Sequence, residues 1–222
     1  MKRMIGTNKW LSVVAFLGIG VSLYLAVLYF RIGANHAPFV LNKWNEMNLL
    51  DLWYVMIYTH IITAIVAISV GWLQFISKLR AKSPRIHKII GRVYSSCIVL
   101  SGISGIYLSF YATAGVISSI GFLLMSLSWL YTLLQGIRAI AVNKDRIAHQ
   151  KWMTRNYALT FAAVTLRIYL PVSMLIFGLE HFNDYYRVIA WLSWIPNLIV
   201  AELILKRQKT SFPPSNQSTR VM

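Results

Sequence analysis

Three histidines, His60, His87 and His149, lie in or beside long apolar runs of a 222-residue chain. Histidines on facing membrane helices are the usual axial ligands of a b-type haem, and arginine can hold its propionates. His36 and His181 fall between the apolar runs. The stretch HQKWMTRNYALTFAAVTLRIYLP, residues 149–171, adds two arginines to an otherwise increasingly apolar segment. Arg155 stands near its start, where a guanidinium can snorkel to an interface. Arg167 stands deep inside it, where a charge costs about 3 kcal/mol on insertion scales and calls for a cavity or a partner. Two histidines and a carboxylate, His87, His149 and Glu202, make up a zinc set by residue type. No H-E-x-x-H spacing, nucleophile triad, phosphate loop or nucleic-acid motif accompanies it.

These residues share helix faces. A separation of 18 residues returns to the same side of an α-helix, so His149 and Arg167 share one, with Asn156 and Thr160 between them. A second seam runs through His60, Thr63, Ala67, Gly71 and Gln74, and a third through His87, Gly91, Tyr94, Ser101 and Gly105. Arg92 and Asn197 add polar positions to the third and last helices. Polar groups aimed at lipid are expensive, so the seams are expected to face one another. Cys97, Ser101, Gly105 and Ser109 recur at four-residue steps, which reads first as a close-packing face.

The elements that hold these seams are transmembrane helices. The chain is 57% hydrophobic and 13% charged, with a mean hydropathy of +0.58. A soluble domain carries about twice that charge. Six apolar runs reach the roughly 20 residues that cross a bilayer, at about 10–30, 52–77, 89–110, 115–141, 152–178 and 186–205. The first is too long for a signal peptide and lacks a small-residue cleavage site, so it reads as an uncleaved span. The fold expected is an all-α, six-span bundle over residues 1–205, followed by a polar, Pro-containing and disordered tail, 206–222.

Net charge is +16, yet the basic residues cluster in short groups between spans and on no soluble face, which argues against nucleic acid. Eighteen of the 22 basic residues fall on one side, including Lys2, Lys9, Lys78–Lys88, Arg138–Arg155 and Lys206–Arg220. Arg31, Lys43 and Arg187 fall on the other, and Arg167 belongs to neither. The bias places both termini in the cytoplasm. Trp10, Trp53, Tyr54, Trp152, Tyr185 and Tyr186 are expected in the headgroup belt. Cys97 is the single cysteine, so no disulfide framework exists.

Depth limits the pairings. Arg167 lies about 20 Å from the basic boundary at 1.5 Å per residue, and Glu202 within about 10 Å of it. Glu202 therefore suits Arg155, Arg92 or Arg138. His60 reaches a depth comparable with Arg167, while His87 and His149 meet near the basic end.

HIITAIVAISVGWLQF, R-x-x-x-x-R-x-HKIIGRVY, SGISG, HQKWMTRNYALTFAAVTLR and WIPNLIVAE, in that order, resemble the bacterial multi-pass membrane family known as domain of unknown function 2306. The likeness spans roughly residues 55–205, is most specific in the fifth span, and implies an integral membrane protein of the bacterial cytoplasmic (inner) membrane without implying an activity. Three activities fit the polar residues. The first is a b-type haem or quinone electron-transfer protein using His60, His87, His149 and Arg167. The second is a transporter or receptor taking a small anionic ligand at Arg167, and the third a metal-dependent enzyme at His87, His149 and Glu202. The plainer alternative is that Gln74, Asn197 and the histidines cross-link helices by hydrogen bonds.

Overall fold

A computed structural model of the chain describes residues 7–33 and 51–210. The described residues are helical with no strand, and six segments are long and apolar enough to cross a membrane: Lys9–Arg31, Asp51–Phe75, Pro84–Ser109, Val116–Ala141, Arg146–Phe177 and Phe182–Arg207. We refer to them as spans one to six. Lys43 and His36 lie outside the described residues, as do residues 211–222. The final helix continues to Thr210, five residues into the segment expected to be disordered.

Each boundary has a local cause. Span three starts at Pro84, earlier than apolar content suggests, because a proline in the first turn loses no hydrogen bond there. Span five starts at Arg146 because the Asp145 carboxylate accepts from the amides of Ile147 and Ala148, both at 2.9 Å. It ends at Gly178, whose φ of +76° closes the helix in a conformation glycine adopts freely. Span six begins at Phe182, four residues before the apolar run.

Spans two, three and four pack in sequence order, and the first half of span five lies against span four. Span one covers span two and touches the second half of span five. Close approach relies on glycine: a Cβ at Gly71 would stand 2.5 Å from the Tyr157 ring and 2.7 Å from that of Tyr94. One at Gly105 would stand 2.8 Å from the Ser126 hydroxyl. Ser101, Gly105 and Ser109 are buried, as a close-packing face requires, and Cys97 is half-buried.

Two corrections follow from burial. Trp53, Tyr185 and Tyr186 are enclosed by protein, whereas Trp10 is open, so the aromatic belt explains Trp10 and not those three. Arg92 is exposed, on the outer side of span three, and does not join the polar seam.

Four spans are irregular. The last turns of span one, Val27–Gly33, form a π-helix, and span two ends in a 3-10 turn, Trp72–Phe75. Span five changes from one helix, Arg146–Thr160, to another, Ala162–Phe177, at Phe161. Span six does the same between Phe182–Leu192 and Ile195–Thr210. The two breaks are pinned together. Asn197 donates to the Thr165 hydroxyl at 2.9 Å and to the Ser193 carbonyl at 3.1 Å, and Thr165 donates to the Phe161 carbonyl at 3.3 Å. Side-chain capping of carbonyls beside a break is what makes a discontinuity tolerable inside a membrane.

Candidate functional site

At the basic end, Glu202 has one partner among the three arginines that depth allowed. Arg155 engages it through Nε and through Nη2, the latter at 3.0 Å, while the guanidinium lies 4.8 Å from the centroid of the Trp152 ring. A bidentate, ring-backed pair ties span five to span six. Both side chains remain partly open, so the pair contributes about 1 kcal/mol. Arg155→Gln and Glu202→Gln are each expected to lower the unfolding temperature by about 2–4 °C. The double variant should be no worse than either; additive losses would mean that the two do not act as a pair.

Midway along span five the polar seam closes on itself. Asn156 is fully buried and donates to the Trp129 carbonyl at 2.8 Å and the Thr132 hydroxyl at 2.9 Å. It accepts from the Tyr94 hydroxyl at 2.7 Å. Thr160 meets Tyr94 at 2.8 Å and accepts from the Trp129 indole at 2.9 Å. Every polar atom of this cluster is used, so its chemistry is the cross-linking of spans three, four and five. Span four, through Trp129 and Thr132, is a partner that the seams did not reveal. An indole and a threonine in an apolar run carry no signal of it.

The four residues expected to form one interior site form two pairs. His149 and Arg167 are 18 residues apart, about 27 Å of helix at 1.5 Å per residue. At the basic end, Arg80 and His149 are both electrostatic neighbours of His87. His149 Nδ1 is 2.7 Å from the Gly136 carbonyl, and Gln74 donates to the His87 carbonyl at 3.2 Å. His87 Nδ1 is buried without a partner. Among the described residues, no three of His, Cys, Asp and Glu stand close enough to hold a metal ion, so the set His87, His149 and Glu202 is not assembled.

The other pair is deeper. Arg167 is half-buried on span five and has no hydrogen bond or carboxylate partner among the described residues. Its electrostatic neighbours are Tyr29, Tyr186 and Tyr24, and it also acts on His60. Tyr29 and Tyr186 are buried, whereas Tyr24 is 55% exposed. The π-helix of span one carries Tyr29, and such segments concentrate at functional sites. His60 is fixed by Ser101: Nδ1 lies 2.8 Å from its carbonyl oxygen, and the Ser101 hydroxyl donates to the His60 carbonyl at 3.1 Å. A carbonyl only accepts, so Nδ1 bears the proton and Nε2 presents a lone pair. Tyr29 and Tyr186 were invisible as site residues because tyrosine at a span end reads as belt.

A family model described as "Predicted membrane protein (DUF2306)" matches residues 57–205, from just before His60 to just after Glu202. No curated protein matches, and no solved structure does.

Proposed function

The chain belongs to the DUF2306 family of predicted membrane proteins, and we propose that this multi-pass member is a membrane-embedded transporter or receptor for a small ligand, held at Arg167 by an anionic or readily ionised oxygen. The observation that carries this reading is a guanidinium inside an apolar span with no carboxylate partner among the described residues. A bare charge there costs about 3 kcal/mol, and a bound oxyanion offsets that cost. The clustering of basic residues supports an orientation with that end, and both termini, in the cytoplasm of a bacterial inner membrane.

Decanoate titrated into protein in lipid nanodiscs is expected to raise the unfolding temperature, since a ligand bound only by the folded state stabilises it by mass action. Arg167→Gln should weaken that binding at least tenfold while Arg155→Gln leaves it unchanged. Equal stabilisation of wild type and Arg167→Gln would sink the assignment.

A b-type haem at the basic end is a second reading, favoured by one observation. With Nδ1 donating to the Gly136 carbonyl, His149 is held in the tautomer that an axial ligand needs. His87 would be its partner, and Arg80, whose Nη1 donates to the Gln74 carbonyl at 3.2 Å, would be the cation for a propionate. Protein purified from cells supplied with haem precursor would then show a Soret band lost in His149→Ala. A colourless preparation rules this reading out.

A further inference from the structure

We propose that a groove between the second half of span five and the first half of span six holds one acyl chain of a phosphatidylethanolamine molecule, with the headgroup seated at Asp184 and Arg187. Arg167 is not among the residues that line this groove, so the proposal stands whether or not Arg167 takes a ligand.

Helical spacing builds the groove. Tyr169, Ser173 and Phe177 recur at four-residue steps and give it one wall from span five. Tyr185 and Ile189 of span six, also four apart, are buried and line it from beneath, and Val188 and Leu192 are exposed along its edge. Phe177 stacks on Tyr185 with ring centroids 6.3 Å apart, close to the turn that joins the two spans. The enclosed volume is about 610 Å³, within the range of ligand sites.

Size and depth choose an acyl chain. Tyr169 to Phe177 is about 12 Å of helix at 1.5 Å per residue, most of the roughly 15 Å that one leaflet contributes to the hydrocarbon. A helix about 10 Å across would need about 900 Å³ over that length, more than the groove holds. An unfilled groove forfeits the dispersion contacts of its walls, and a flexible chain restores them.

Charge chooses the headgroup. The groove reaches His181 and Asp184 at the end of the bundle opposite the basic one. The Asp184 side chain is 71% exposed, with one oxygen 3.7 Å from His181 Nδ1 and the other accepting from Arg187 Nη1 at 3.4 Å. Both contacts are long, so the carboxylate keeps capacity for a stronger donor. Arg187 is fixed through Nε, which donates to the Ala114 carbonyl at 2.9 Å, and its Nη2 has no partner among the described residues. An ammonium that carries protons suits Asp184, and the phosphate beside it suits Arg187. Choline has no N–H to give. An anionic head meets Glu180 and Asp184 against the single Arg187 in residues 178–188, a segment of net charge −1 with histidine neutral.

The test varies the lipid first, so that it does not depend on a variant folding. Full-length protein in dodecylmaltoside is titrated with phosphatidylethanolamine, phosphatidylcholine and phosphatidylglycerol bearing the same palmitoyl and oleoyl chains, and bound lipid is counted by native mass spectrometry. Phosphatidylethanolamine should bind at least tenfold tighter than either of the others. Ser173→Phe, which puts a ring into the groove, should weaken it at least tenfold, while Val172→Phe, at an exposed position outside the lining, leaves it unchanged. Asp184→Asn should bring the preference for ethanolamine over choline below threefold, and Arg167→Gln should bind as wild type does. Equal binding of the three lipids, or binding indifferent to Ser173→Phe, overturns the proposal. Loss of binding in Arg167→Gln overturns it too, by moving the lipid to the other site. A protein dimer that Ser173→Phe dissolves, without tight lipid, overturns it and gives the groove to a second copy.

Discussion

Gly71→Ala is expected to destabilise the protein by about 3 kcal/mol, near the top of the usual range for overpacking a core. In an open helix the same change would gain up to about 1 kcal/mol of helix propensity. Here the added methyl would stand 2.5 Å from a ring carbon of Tyr157 and 2.7 Å from one of Tyr94. Neither ring is free to retreat. The Tyr157 hydroxyl donates to the Ile68 carbonyl at 3.3 Å, one turn before Gly71, and Tyr94 is held by Asn156 and Thr160. Both rings belong to the core cluster of Ala67, Ile98, Trp129 and Leu159. Relief therefore requires span two to move away from spans three and five. Thermal unfolding should show a fall of roughly 6–12 °C, whereas Gly20→Ala, where an added Cβ meets nothing within 4 Å, should be neutral or slightly stabilising. Equal behaviour of the two variants would mean that span two does not approach this closely.

What the sequence made legible here depended on whether a residue's type betrays its surroundings. Apolar run length is such a signal, because bilayer thickness fixes it, and all six spans lie where the runs do. Asn156 and Thr160 were legible for a similar reason, since polar side chains at helical spacing in a membrane must turn inward. Depth counting narrowed the partners of Glu202, and geometry chose Arg155. Tyrosine and tryptophan carry no such signal. They are equally at home in a headgroup belt and in a core, so the assignment of Trp53 and Tyr186 to the belt failed and Tyr29 passed unnoticed. Helix irregularities were legible in part. Pro171 and Pro196 are the residues expected to kink spans five and six. Pro171 lies within a helix, and span five changes at Phe161. Span six changes at Ser193–Trp194, just before Pro196, whose ring nitrogen has no proton for the Leu192 carbonyl. The Thr165–Asn197 contact beside both points is a tertiary interaction that local sequence does not encode. The division of His60, His87, His149 and Arg167 into two pairs follows from length alone. A face shared over 18 residues is still about 27 Å long, so periodicity establishes a common side and never a common site.

Asn156→Ala is expected to destabilise the bundle by about 3 kcal/mol. Three interhelical contacts end at this fully buried side chain: the Tyr94 hydroxyl, the Trp129 carbonyl and the Thr132 hydroxyl. Interhelical hydrogen bonds inside membranes average about 0.6 kcal/mol each, so their loss accounts for roughly 2 kcal/mol. The vacated volume, between helices that cannot collapse onto it, adds the remainder. Tyr94→Phe removes the hydroxyl alone and should cost about 1 kcal/mol, with Thr160 still served by Trp129 at 2.9 Å. Because Tyr94 and Asn156 share a bond, the double variant should be less destabilised than the sum of the singles by about 0.5–1 kcal/mol. Asn156→Asp supplies a further discrimination. A carboxylate cannot donate to the Trp129 carbonyl or the Thr132 hydroxyl, so if ionised it would lose both contacts while placing a charge in an apolar core. It should be at least as harmful as alanine despite its matching size. Strict additivity in the cycle, together with an Asn156→Asp variant as stable as wild type, would mean that the polar cluster does not hold spans three, four and five together.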